Sequence, residues 1–383
     1  MNATAALIEQ ATPAAPARKP QLPALTGVRT LLAVNIMLFH FTPPHMQLLY
    51  PLINNSFVFV GFFILLSGFV LTYNYADRPR LVKRDFWLAR FARLYPIYLL
   101  SLVLFFNMLI VEYHARSHGQ FWAGVVLTPV LLQGWSPLLA TFWNTVAWTL
   151  SCEAALYLAF PWIVKLPWPK STGRLIGLLL GIWCLGLVPH MLYIAFNPDH
   201  LPGPPNRYSY GFWLRALKYT PASYVCTFLV GVALAKVHSS LSLTSRQRTY
   251  VAAASLLILA IFFATAVEHV PYILMHGGLL VPVFSTLVIG LSGHNIFARA
   301  FSVRPLMLLG QASYALFLLH FNFINLLRQY NVPQHLHVAA LDPWISYAAT
   351  LLLSIVAMYF VERPARRMIL QQKRDPAPAG KAM

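Results

Sequence analysis

The sequence predicts an all-α, polytopic membrane protein of about ten transmembrane helices with both termini cytoplasmic. Three observations predict it. Of 383 residues, 58% are hydrophobic and only 10% charged, with a mean hydropathy of +0.62. The apolar residues come in runs of about 20 divided by short polar loops, the length a helix needs to cross a bilayer. The basic residues alternate in density from loop to loop. With the N-terminus inside, 22 of the 28 Lys and Arg fall in cytoplasmic segments or at their edges, and four fall outside.

The elements follow in order. Residues 1–20 are rich in Ala and Pro, end in Arg18 and Lys19, and lack the apolar core of a signal peptide. They read as a disordered cytoplasmic tail. Ten spans follow, at roughly 25–46, 54–76, 94–113, 142–164, 174–196, 221–238, 249–268, 272–292, 306–328 and 344–362. The apolar stretch 121–138 is broken by Pro129, Gly134 and Pro137 and reads as a re-entrant or interfacial element. Counting it as a span would invert everything after it and place the basic tail outside. The membrane domain covers 21–368, and 369–383 is a basic, disordered cytoplasmic tail.

The net charge of +18 admits a nucleic-acid partner, but the charges sit in loops between apolar runs and serve topology and anionic-lipid contact. Cys152, Cys184 and Cys226 all fall within apolar stretches and read as small packing residues, not a disulfide framework. No His-Glu-x-x-His run or paired-cysteine spacing suggests a metal, and glycine-rich nucleotide loops are absent. Gly61, Ser67 and Gly68 in the second span read as residues that let helices pack closely.

The informative residues are the few ionisable ones within spans. Arg29 and His40 share the first span, about 16 Å apart along a helix. An Arg at the centre of a membrane helix costs about 2.5–3.5 kcal/mol on insertion scales. Glu153 lies in the fourth span and His320 in the ninth, the latter closing the stretch that begins Ser313, Tyr314. A carboxylate and two imidazoles on three helices suit general acid–base work, with Glu153 orienting an imidazole as the acid of a hydrolytic triad does. Arg90 and Arg93, three apart on one helix face, read as standing near a helix N-terminus. There guanidinium groups and the positive helix end together favour phosphate. Intramembrane Arg, His and Glu also build proton relays, so a proton-coupled transporter or exporter of a glycolipid or small molecule is the rival reading. A non-catalytic scaffold leaves His40 and Glu153 without a purpose.

Taken together, these motifs resemble the acyltransferase-3 family of integral membrane acyltransferases. Arg29 and His40 resemble its Arg-x10-His signature, and Gly61 to Phe69 resembles its second helix. Arg90-x-x-Arg93 followed by Leu94, Tyr95 and Pro96 matches another signature. Trp148 to Glu153, Ser313–Tyr314 to His320, and Glu362 with Pro364 extend the match over about 22–368. The resemblance implies a ten-helix bundle that takes an acyl group, often acetyl, from acyl-CoA to a hydroxyl of a sugar, polysaccharide, glycolipid or macrolide-like acceptor. It also implies a bacterial inner membrane. Arg29, His40, Arg90, Arg93 and Glu153 carry over as functional positions, with Ser313, Tyr314 and His320 as acceptor-side or supporting residues. Two departures stand out. Thr26, Val28 and Thr30 occupy places where relatives often have an acid and its neighbours. Many relatives also append an esterase-like SGNH domain, so this chain is expected to work alone or with a separate partner.

The mechanism these readings imply runs across the membrane. CoA phosphates are held by Arg90, Arg93 and Arg29, and the thioester reaches towards His40. Glu153 holds that imidazole while it deprotonates the acceptor hydroxyl. Direct transfer and a transient acyl-His40 are both open. Segment 197–220, with Asp199, His200, Arg207, Arg215 and Lys218 among Gly and Pro, is expected to be an external, acceptor-side loop.

Overall fold

The computed structural model describes residues 19–371, which form helices and connecting turns with no strand among them. Of the tails expected at 1–20 and 369–383, residues 1–18 and 372–383 lie outside the described residues, and 369–371 continue the helix Arg363–Gln371. Nine helical segments among those described are long and apolar enough to cross a bilayer. The long helices, numbered here in chain order, are α1 (Pro23–His40), α2 (Phe59–Tyr75), α3 (Lys83–Leu104), α4 (Trp148–Ile163) and α5 (Thr172–Phe196). They continue as α6 (Pro221–Ser240), α7 (Ser245–Ile261), α8 (Val281–Leu291), α9 (Arg304–Gln329) and α10 (Trp344–Ala357).

Whereas α8 and α10 reach span length with the helical turns joined to them, over Tyr272–Leu291 and Trp344–Gln371, α4 is the one of the ten outside those nine segments. Its 16 residues rise about 24 Å, less than the hydrocarbon thickness. The chain before it is irregular. A ten-residue helix, His118–Leu127, stops just before Pro129, and turns occupy the stretch up to Ala147. Such backbone is tolerated at depth only when its polar groups are answered by protein. Here Tyr98 donates to the Thr128 carbonyl at 2.5 Å, Ser151 donates to Leu131, and Asn144 donates to the Leu318 carbonyl at 3.1 Å. Thr128, Gln133 and Asn144 are fully buried. The sequence-based view of 121–138 as an interrupted element matches this backbone.

Two helix crossings organise the centre. At one, α9 presses Gly310 onto α1, where a Cβ would lie 2.0 Å from the Thr26 carbonyl oxygen. Thr30 of α1 fastens the same contact by donating to the Leu306 carbonyl at 2.6 Å. At the other, Gly68 of α2 and Gly231 of α6 interlock, each with a Cβ position within 2.3 Å of the partner's backbone oxygen. Small residues let membrane helices approach this closely because lipid offers no hydrophobic drive for association. The expectation for Gly68 is met, whereas Gly61 has open space beside it. Burial sorts the segments accordingly. Gln47–Tyr75 is 72% buried over its most apolar stretch, and Thr172–Phe196 only 22%, so the latter presents its apolar surface outwards. Cys184 is on that outer helix and is exposed, unlike buried Cys152.

Candidate active site

The third span starts earlier than its apolar run suggests. The helix begins at Lys83, after extended Val82, so Arg90 and Arg93 sit about two and three turns inside it. The positive helix end therefore adds nothing to them, since that effect fades within the first turn. What holds them near an anion site is the cavity they face. It measures about 380 Å³, lies between α1, α2, α3, α4 and α9, and is lined by Arg29, Arg90, Arg93, Glu153, Ser313 and Tyr314 among others. Six of the eight predicted site residues thus meet in one place.

Basic groups outnumber acids there. Lys19, Arg29, Arg90 and Arg93 line the cavity with Glu153. Lys19 is paired at 2.5 Å with Asp77, and Lys19 and Pro20, counted with the tail by sequence, stand on the cavity wall. The Arg29 guanidinium lies 6.0 Å from the centre of the Phe63 ring. Arg90 keeps a buried Nε without a hydrogen-bond partner in the protein. Tyr314 is engaged elsewhere, donating to the Leu94 carbonyl at 2.6 Å, and Ser313 bonds to Gly310 of its own helix at 2.8 Å. Those two hydroxyls brace α9 against α3 and itself.

Glu153 has a different partner from the one expected. Ser67 on α2 donates to its Oε1 at 3.0 Å, and Tyr157, one turn further along α4, donates to the Ser67 hydroxyl at 3.2 Å. Ser67, a packing residue by sequence, is thus a partner of the carboxyl, and Tyr157 joins the site without having been expected there. The signal for Tyr157 was its i+4 spacing from Glu153, which places both on one helix face.

His40 and His320 lie outside the cavity lining. His40 is the last residue of α1, which stops ahead of Pro43 and Pro44. Its ring meets Phe39, Phe321 and His320, with centroid distances of 5.0, 4.9 and 5.3 Å. The expected hold of Glu153 on His40 is replaced by this imidazole pair. His320 is wholly buried, with Nδ1 2.8 Å from the Phe317 carbonyl. Phe317 connects the two places, since it lines the cavity and packs its ring 6.0 Å from His320.

Segment 197–220 closes over the same end of α1. Asp199 accepts from the backbone of Trp213 at 3.1 Å and Leu214 at 2.8 Å, which fixes the start of a short helix, Phe212–Tyr219. Arg207 donates to the Phe39 carbonyl at 3.1 Å and lies 4.1 Å above the Phe39 ring. It also borders a wider cleft of about 830 Å³ with Asn54, Phe57, Glu268 and Tyr272. No three His, Cys, Asp or Glu side chains gather as a metal site among the described residues.

Known proteins resemble this sequence over most of its length. The chain is 27% identical over 331 residues to acyltransferase MdmB of Streptomyces mycarofaciens, covering 81% of each protein. It is 24% identical over 373 residues to peptidoglycan O-acetyltransferase OatA of Listeria monocytogenes, and 23% identical over 364 residues to O-acetyltransferase OatA of Staphylococcus aureus. These matches take in 90% of this chain but 56% and 57% of the two relatives, so it spans just over half of their length. No solved structure matches significantly. The sequence profile of the acyltransferase domain family covers residues 22–363, nearly all of the described chain. The chain belongs to that family, and it is an acyl-transferring membrane enzyme.

Proposed function

We propose that the protein moves an acyl group, acetyl being the simplest case, from acyl-CoA to a hydroxyl of a sugar, polysaccharide or glycolipid acceptor. The observation that carries this reading is the excess of guanidinium groups around a cavity walled by apolar helices. Charge-assisted bonds from Arg29, Arg90 and Arg93 suit the phosphates of CoA. The peptidoglycan acetyltransferases among the relatives support a carbohydrate acceptor. Both termini lie in the cytoplasm of a bacterial cell in this reading, in keeping with the basic loops. The donor then enters at the Arg90 and Arg93 side, and the acceptor arrives through the cleft beside Arg207.

His40 takes the proton of the acceptor hydroxyl as its oxygen bonds to the thioester carbonyl carbon. The carbon–sulfur bond then breaks, and the CoA thiolate takes up the proton. Glu153, held by Ser67, lies on the donor side and balances the arginines. The test is release of CoA by purified protein from radiolabelled acetyl-CoA with an envelope extract, comparing wild type with His40→Ala and Glu153→Ala. Release that requires both residues supports the reading. Absence of release and of saturable CoA binding overturns it, and label retained on the protein marks a covalent acyl-His40 route.

A further inference from the structure

We propose that His320 is the positioning residue of His40, filling the role expected of Glu153. The inference rests on His40 being the base in the reading above. Its starting point is the bonding of the His320 ring. Nδ1 lies 2.8 Å from the Phe317 carbonyl oxygen and 3.2 Å from that of Leu316. A carbonyl only accepts, so Nδ1 carries the proton, and a neutral ring fixed in this tautomer has a bare lone pair on Nε2. That Nε2 is buried and has no hydrogen-bond partner in the protein, on a residue with 0% exposure. Leaving an acceptor buried in this way costs about 1–3 kcal/mol, so its retention calls for a purpose.

The ring facing His320 supplies one. His40 lies 5.3 Å away between ring centroids, tilted by 41°, a separation at which imidazoles share a hydrogen bond once their nitrogens point at each other. Phe321 and Phe39 pack on His40, and Phe317 packs on His320, so apolar rings surround the pair. Glu153 is engaged by Ser67, and Arg207 is engaged by the Phe39 carbonyl.

With the His40 ring turned so that one nitrogen faces the partnerless Nε2 of His320, that nitrogen donates its proton to Nε2, and the other stands bare towards the acceptor hydroxyl. As the hydroxyl oxygen bonds to the thioester carbon, its proton passes to that bare nitrogen. His320 Nε2 continues to accept from the opposite side of His40, which is now doubly protonated. Cleavage of the carbon–sulfur bond yields the CoA thiolate, which takes the proton from His40 and restores the starting state. His320 neither gains nor loses a proton over the cycle.

Two amides separate this role from a packing role. His320→Asn keeps a donor for the Phe317 carbonyl and removes the acceptor at the Nε2 position. His320→Gln reaches that position with an amide oxygen. The Asn variant is expected to lower kcat about 10- to 100-fold, a share of what a positioned base supplies, with donor KM unchanged. The Gln variant is expected to recover most of the rate. In a His40→Ala background the Asn substitution is expected to add no further loss, because the two residues act as one unit. Full loss on top of His40→Ala, equal defects in Asn and Gln, or a normal Asn variant beside an inactive His40→Ala overturns this inference and leaves the base assignment standing. A His40→Ala enzyme as fast as wild type overturns both.

Discussion

Ser67 and Glu153, 86 residues apart in sequence, meet at 3.0 Å inside the bundle and join α2 to α4 beside the arginines. Ser67→Ala leaves the buried carboxylate without this donor, a change worth about 1–3 kcal/mol. The variant is expected to melt at lower temperature in detergent and to lose acyl transfer. Ser67→Thr, which keeps the hydroxyl, and Tyr157→Phe, which leaves Ser67 in place, are expected to be milder. Thermal melts alongside CoA release check the order of the three.

Arg90→Ala and Arg93→Ala are expected to act on donor binding. A hydrogen bond to a charged group is worth about 1.5–3 kcal/mol, or about 10- to 100-fold in affinity. Donor KM should rise by that factor while kcat holds. Steady-state kinetics against acetyl-CoA decide it, and a fall in kcat at unchanged KM would remove the phosphate role.

His40→Ala is expected to reduce CoA release by about 10²- to 10⁴-fold, the usual contribution of general-base catalysis. The protein should still bind donor, because Arg29 sits three turns away and Arg90 and Arg93 line a cavity that His40 does not. Equilibrium binding of labelled acetyl-CoA to the variant checks the second half of the statement.

Arg207→Ala is expected to change acceptor kinetics and spare donor kinetics. The side chain borders the wider cleft and is fixed to Phe39, next to His40. Varying the acceptor at saturating donor should show a raised acceptor KM. An altered donor KM instead would detach segment 197–220 from the acceptor.

Much of this was legible in the chain because a charge within an apolar run is costly and therefore conspicuous. Arg29 and Glu153 stood out on that ground and Arg90 and Arg93 by their spacing of three on one helix face, and the four share one cavity. Hydroxyls carry no such cost, so Ser67 and Tyr157 blended into their helices. The register of α3 was hidden for a related reason. Its first turns, from Lys83 to Arg93, are charged and aromatic, so hydropathy rises only at Leu94 although the backbone is already helical. Partnership between helices was the least legible property. A lone Glu and a lone His invite pairing on chemistry alone, yet α9 and not α4 delivers a group to His40. The glycine at 310 that seats α9 on α1 has no hydropathy signal of its own.

That seat works as a fulcrum. Gly310 lies ten residues before His320, about 15 Å along the helix, and Thr26 lies fourteen residues before His40, about 21 Å away. A tilt of about 5° at the crossing moves either imidazole by over 1 Å, a displacement that can slow chemistry about 100-fold. Packing against neighbouring helices sets the tilt of membrane helices, and mismatch with the bilayer shifts it. The crossing of Gly310 and Thr26 is therefore the point at which a change of helix tilt becomes a displacement of the two imidazoles, through two arms of unequal length.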